Sequence, residues 1–309
     1  MIGTITLNPS IDTNITVHGL AKDDTNRARS IAETAGGKGI NVSKAVRELG
    51  GRTRAYALLG GFTGEYLKEL ARPLDFPLVS ERVAGNTRVN MVITDVKDGT
   101  QTRISAPGPS VAVSETRRFL RRLLAVRPKP FLWALGGSIA SGMKSSIYRD
   151  FVRALQKNGT PCVMDTDNEA LRLGVEAKPF MIKPNEYEIE RLCGRKLHSI
   201  RDHLLAARQQ VRSGVGLVIV SLGPKGAIFA TEKESFHALA PRVTVKSKIG
   251  AGDSLIGGVV WALYRRRSLE EAAKLGIAAS TSAVMREAPR LCLQSDISSL
   301  LRRVKIKRL

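Results

Sequence analysis

Short apolar runs alternate with stretches of helical spacing along most of this chain, and that alternation limits the fold more than any other feature of the sequence. Strand-like runs cover residues 2–7 and 53–59, with helical patterns at 38–49 and 64–71. The second half repeats the rhythm, with strands at 131–135, 161–165, 180–182 and 216–220 and helical spacing at 145–157. Strands that alternate with helices imply a mainly parallel sheet covered on both faces, hence an α/β, doubly wound fold. No internal repeat, low-complexity tract or linker divides the chain, so one domain over residues 1–309 is expected. Two stretches break the rhythm. Residues 12–33 and 85–107 alternate polar and apolar positions, and Lys97-Asp98-Gly99 reads as a turn between runs at 88–95 and 101–105. These predict antiparallel strands with one face to bury, forming a small lid over the strand ends or a pairing surface for a second subunit.

Composition removes several function classes. At 309 residues and 43% hydrophobic, the chain can bury a sizeable core. Its longest apolar runs, 131–135 and 217–220, fall far short of the roughly 20 residues that cross a bilayer, so no membrane span is expected. The N-terminus lacks a basic segment followed by an apolar stretch and a small-residue cleavage site, which predicts a cytoplasmic protein. Cys162, Cys193 and Cys292 are scattered and predict reduced, structural thiols. The 49 Lys+Arg against 28 Asp+Glu give a formal charge of +21, which favours anionic partners and raises nucleic acid as a reading. The basic residues concentrate at 117–122, 265–267 and 302–308. Each cluster reads as the wet side of a helix or a frayed terminus without interleaved aromatics, which makes nucleic acid the minor reading.

Two glycine-rich segments carry the chemistry. Gly250-Ala251-Gly252-Asp253 precedes an apolar helical run at 255–264; its backbone amides and the helix N-terminus form a concavity suited to a phosphate. Asp253 has two readings, an N-cap or a carboxylate placed to accept a hydroxyl proton beside an anion hole. Gly36-Gly37-Lys38-Gly39-Ile40-Asn41 leads into the first long helix, with Lys38 and Asn41 as donors for a polar ligand. It lacks the spacing of a Walker P-loop.

In order along the whole chain, the motifs resemble the PfkB (ribokinase-like) family of sugar kinases. Leu7-Asn-Pro-Ser-Ile-Asp12 looks like the strand end that holds sugar hydroxyls, and Gly36 to Asn41 is similar to the first family signature. Lys183-Pro-Asn185-Glu-Tyr-Glu188 resembles the segment linked to nucleotide and magnesium. Ser221-Leu-Gly223-Pro-Lys225-Gly226 resembles the nucleotide loop, and Gly250 to Asp253 the anion hole with its base. The resemblance implies a ribokinase-like fold and transfer of the γ-phosphoryl group of ATP to a sugar hydroxyl. Asp253 would be the general base and the amides of Gly250, Ala251 and Gly252 would stabilise the transition state. It implies Mg2+ bridging the phosphates with Asn185 and Glu188 in its outer shell, although Asn185 could simply cap the helix carrying Glu188.

Gly85-Asn-Thr-Arg88-Val-Asn90 is similar to the phosphofructokinase and tagatose-6-phosphate kinase branch, which implies a phosphorylated ketohexose as acceptor. Asp12, Gly37, Lys38, Asn41, Asn90 and Ser138 would line the sugar site, with Lys183, Ser221, Gly223, Lys225 and Gly226 on the nucleotide. Arg88 would hold the acceptor phosphate with Arg27 assisting, the latter across a homodimer contact through the lid; both arginines also read as surface charges. Fructose 1-phosphate is preferred, with fructose 6-phosphate and tagatose 6-phosphate as alternatives, and a non-catalytic polyanion-binding protein on a kinase body is the rival class. Lys248 stands where a Thr is usual, Asp165-Thr-Asp167-Asn-Glu replaces Asp-x-Ser-Gly-Glu, and Glu287-Ala-Pro-Arg290 replaces a glycine-containing loop.

Overall fold

The computed structural model describes every residue except 288 and 289. Strand β1 (Ile2–Thr6) runs near the middle of a ten-stranded sheet, between β4 (Thr53–Gly60) and β8 (Trp133–Gly136). On one side the sheet continues from β4 to β5 (Leu78–Val83). On the other it continues from β8 through β9 (Cys162–Asp165) and β10 (Met181–Ile182) to β11 (Leu217–Ser221). These seven strands are parallel. The sheet then turns antiparallel through β12 (Ala227–Ala230), β13 (Ser235–Leu239) and β14 (Lys305–Arg308). The basic tail, expected to belong to a helix or a frayed end, therefore lies partly in an edge strand; only Arg302 and Arg303 end helix α10 (Gln294–Arg303). Its Lys-Ile-Lys-Arg alternation suits such an edge, where lysines discourage further pairing.

The pleat sends neighbouring side chains to opposite faces, and the two main cores follow from it. Trp133 and Leu135 point into one core with α3 (Val113–Leu124) and α4 (Ile147–Lys157), through Phe119, Tyr148 and Phe151. Leu132 and Ala134 point into the other with α1 (Lys38–Glu48), α8 (Ala251–Tyr264) and α9 (Leu269–Val284). Three further helices have their own signals. Those at α6 (Glu186–Cys193), α7 (Ile200–Arg212) and α9 carry reciprocal capping pairs, Asn185 with Glu188, Ser199 with Asp202 and Ser268 with Glu271.

A second sheet of four strands stands apart, in the order β3 (Ser30–Gly36), β2 (Ser10–Val17), β6 (Arg88–Asp95) and β7 (Thr100–Ile104). The alternating segments form it, but β2 and β6 are parallel where antiparallel strands were expected. Both follow strands of the main sheet that point the same way, β2 continuing almost directly from β1. Its register puts Asp12, Asn14, Thr34, Asn90 and Arg103 on one face and Ile15, Ile31, Met91 and Ile104 on the other. Ile11, on the second face, is buried against Ile40 of α1 and Leu67 of α2 (Gly61–Ala71). Farther out that face is open, with Ile31 63% and Ile104 54% exposed.

No helix among the described residues is long and apolar enough to cross a membrane. Arg265 packs its guanidinium 5.6 Å from the Trp261 ring, which itself stacks on Tyr264, so one of the basic clusters does have aromatics beside it.

Candidate active site

Polar residues gather where the parallel strands end, the edge at which open α/β sheets take their ligands. Helices α1 and α8 meet there. They pack closely because position 257 is glycine: a Cβ on it would lie 2.6 Å from that of Ala45. This brings two residues far apart in sequence into contact, and Asn41 Nδ2 donates to Asp253 Oδ2 at 2.9 Å.

Asp253 lies in the first turn of α8, three residues past the N-cap position. It is not the N-cap. Gly250 takes that position with φ of 75°, a conformation that glycine adopts without strain. The Asp253 side chain is 8% exposed. Burial, and next the negative charge of Asp165, hold its proton affinity above the usual aspartate range, while Lys38, the Asn41 bond and Lys183 work against them. A carboxylate so placed is suited to take a proton from a hydroxyl at the same helix N-terminus. Beside it, a Cβ on Gly252 would sit 3.2 Å from Lys183 Nζ, so the Lys183 ammonium overhangs the glycine cradle.

Asp165, at the end of β9, lies beneath these groups. Its Oδ2 is 3.1 Å from Lys38 Nζ and its Oδ1 is 3.3 Å from Lys183 Nζ. Burial opposes the Asp165 charge, but the two lysines overcome it and hold its carboxyl below the usual range. Burial likewise opposes the charge on Lys38, and Asp165, Asp253 and Glu188 together keep its pKa above the ordinary value.

The inner face of the second sheet supplies the other wall. Asp12 Oδ1 accepts from Ser10 Oγ at 2.7 Å and from Asn90 Nδ2 at 3.0 Å. The carboxylate lies against Gly36, where a Cβ would meet Oδ2 at 2.1 Å. Gly37, with φ of 115°, turns the chain into α1. The pocket between the sheet and α1 is lined by Asp12, Asn14, Asn41, Lys44, Arg103 and Leu291, among others. Lys44 donates to Thr34 Oγ1 at 2.9 Å and to the Ala35 carbonyl; burial pulls its pKa down to about 8 although Asp12 and Asp253 oppose it.

The arginines stand differently. Arg88 is tied into the frame, Nη1 donating to the Ala106 carbonyl and Nη2 to the Asn8 carbonyl, each at 2.9 Å. Asn8 in turn donates to Ser138 Oγ at 3.2 Å and to the Pro107 carbonyl at 3.0 Å. Arg27 is exposed on the loop between β2 and β3, outside the pocket lining.

On the far side of Asp253, Asn185 and Glu188 make the reciprocal cap of α6: Glu188 N donates to Asn185 Oδ1 and Asn185 N to Glu188 Oε2. The capping alternative is thus what these side chains do here. Asn185 also bridges to Ser221, which joins this segment to the loop carrying Gly223, Lys225 and Gly226. Burial and the charge of Asp165 raise the Glu188 pKa, a strain that a divalent cation would relieve. Among the described residues no three carboxylate, histidine or cysteine side chains cluster as a cage. Glu188 is the carboxylate here that would hold a Mg2+ ion, through the waters such an ion usually keeps. Lys248 is exposed, and Asp167 occupies the N-cap position of α5 (Asn168–Val175) without a side-chain cap bond. Part of the Glu287–Arg290 departure, Ala288 and Pro289, lies outside the described residues.

Asp165, Lys44, Asn8 and Arg103 were not among the expected site residues. For Asn8 a signal existed, since it sits inside the Leu7 to Asp12 motif; a lone lysine on a helix carries none.

A family model described as "pfkB family carbohydrate kinase" matches residues 2–296. The chain belongs to the pfkB family of carbohydrate kinases. It is 31% identical over 309 residues to a 1-phosphofructokinase of Bacillus subtilis, covering 100% of both chains. It is 32% identical over 301 residues to the ATP-dependent 6-phosphofructokinase isozyme 2 of Escherichia coli, covering 97% of each. The crystal structure of Escherichia coli phosphofructokinase-2 in complex with potassium superposes with a TM-score of 0.93 at 31% identity, over 97% of this chain and 98% of that one. The fold is therefore ribokinase-like, and the protein is a sugar kinase of phosphofructokinase type, a phosphotransferase rather than a non-catalytic polyanion binder.

Proposed function

We propose that this kinase transfers the γ-phosphoryl group of ATP to fructose 1-phosphate, giving fructose 1,6-bisphosphate and ADP. The observation that carries the proposal is Asp253, buried behind the Gly250 to Gly252 cradle and held by Asn41. Asp253 takes the proton of the acceptor's 6-hydroxyl as that oxygen forms its bond to the γ-phosphorus and the bond to the ADP oxygen breaks. The amides of Gly250, Ala251 and Gly252 and the Lys183 ammonium meet the charge on the equatorial oxygens. Glu188 would hold Mg2+ bound with the nucleotide, which would supply charge neutralisation on the phosphates. Asp12, fixed by Ser10 and Asn90, accepts from sugar hydroxyls. Lys44 and Arg103 bring positive charge to the same pocket for the acceptor phosphate, and each Arg88 terminal nitrogen keeps a second N–H. The preference for fructose 1-phosphate is supported by the name of the Bacillus subtilis relative. Fructose 6-phosphate remains the second reading because of the Escherichia coli isozyme, and tagatose 6-phosphate the third.

The kinase works as one domain, and we assign the second sheet's exposed apolar face, with Ile31 and Ile104, to a homodimer contact.

Coupled ADP release with MgATP and each of the three sugar phosphates, and with free fructose, tests this. Turnover on fructose 1-phosphate that falls by about 10²- to 10⁴-fold in Asp253→Asn is expected. Turnover on free fructose alone overturns the acceptor.

A further inference from the structure

Asp165 is a carboxylate with 3% of its surface exposed, and burying such a charge is unfavourable unless cations and hydrogen bonds offset it. Two lysines do so, from different elements: Lys38 from the first turn of α1, and Lys183 from just past β10. Each is an ion pair, Lys38 Nζ at 3.1 Å from Oδ2 and Lys183 Nζ at 3.3 Å from Oδ1, but the Lys38 side chain is 34% exposed and that of Lys183 only 6%. The buried ammonium of Lys183 also overhangs Gly252 of the anion cradle.

We infer that Asp165 is a positioning residue of the phosphoryl transfer: it shares one buried negative charge between Lys38 and Lys183 and anchors the second beside the Gly250 to Gly252 cradle, where its ammonium can reach a phosphoryl oxygen. The inference rests on the kinase reading above and deepens it. Asp165 touches neither hydroxyl nor phosphate. It acts through the lysines, and through its own field on Asp253, whose charged surroundings are Asp165, Lys38, Lys183 and Lys44 with Asn41 as hydrogen-bond donor.

Asp165→Asn keeps the shape and removes the charge. Lys183 then loses its anchor, and kcat is expected to fall by about 10- to 100-fold with a smaller change in the acceptor KM. Asp253 loses a neighbouring negative charge and keeps three positive ones, so it titrates at lower pH. This titration is followed without substrate, as the pH at which the melting temperatures of a protein and its Asp253→Asn variant diverge. The divergence is expected to move to lower pH with Asp165→Asn and to higher pH with Lys183→Met, in which a cation is lost instead. The acid limb of kcat should shift in the same two directions.

A buried ion cluster with a purely structural part would lower stability in both variants and leave both pH positions unmoved, which overturns the inference. If Asp165→Asn does not fold, the Lys183→Met shift decides alone. A wild-type protein that phosphorylates none of the sugar phosphates sinks the acceptor proposal, while the divergence of melting temperatures still decides whether Asp165 sets the field at Asp253.

Discussion

Asp253 shows how a reactive residue is made at a cost to stability. Its folded-state pKa lies above the unfolded value, so the native protein holds this proton more tightly than the unfolded chain does. The stability it contributes is present in full below the unfolded value and is lost as pH rises through the folded value. Asp253 therefore contributes less stability at neutral pH than in acid. Asp253→Asn is expected to raise the melting temperature at pH 7 by a few degrees while removing activity, with the gain vanishing toward pH 3.5; differential scanning calorimetry across pH checks it. The Gly250 to Asp253 and Gly36 to Asn41 segments were legible because glycine pairs before an apolar helix are local signals. Asp165 was legible only as the first residue of the segment that replaces Asp-x-Ser-Gly-Glu; its partners were not, because Lys38 and Lys183 come from separate elements. Lys44 was missed for a related reason: one turn past Asn41 a lysine reads as solvated, and only packing of the second sheet over α1 buries it.

At the level of elements, the N-terminus of α8 is shaped by one backbone angle and one neighbour. Gly250 has φ of 75°, and a Cβ there would meet Leu291 Cδ2 at 2.1 Å. Gly250→Ala is expected to lose about 1 to 2 kcal/mol from the left-handed conformation alone, and more from the clash. Adding Leu291→Ala should restore the clash part and leave the conformational part, as chemical denaturation of the single and double variants would report. The parallel strands and their helices were readable from alternation. The antiparallel edge β12–β13–β14 was not, since β12 and β13 are short and joined by a tight turn, and β14 is mostly basic and separated from β13 by three helices. The parallel pairing of β2 with β6 was likewise hidden, because period-two alternation fixes the face of a strand but says nothing of its direction.

For the whole molecule, two surface properties set expectations. If the outer face of the second sheet joins two subunits, Ile31→Glu with Ile104→Glu should give a monomer in sedimentation equilibrium where the unaltered protein is a dimer. A charge of +21 attracts both anionic substrates, so kcat/KM should fall as ionic strength rises from 0.01 to 0.3 M while kcat holds. A flat kcat/KM would mean that the excess charge faces away from the pocket mouth.

The knot at Asn8 has a mechanical consequence. Strand β2, bearing Asp12, leaves the main sheet just past Asn8, and strand β6, bearing Asn90, begins at Arg88, which grips the Asn8 carbonyl. Both residues, proposed above to face the sugar, thus hang from one pivot and are locked to each other across the strands. Tilting the plate swings them as a pair, so their mutual alignment survives while their distance to Asp253 changes. A substitution at the pivot would re-aim the sugar without altering any group that touches it, which gives this architecture a way to change its choice of sugar by angle alone.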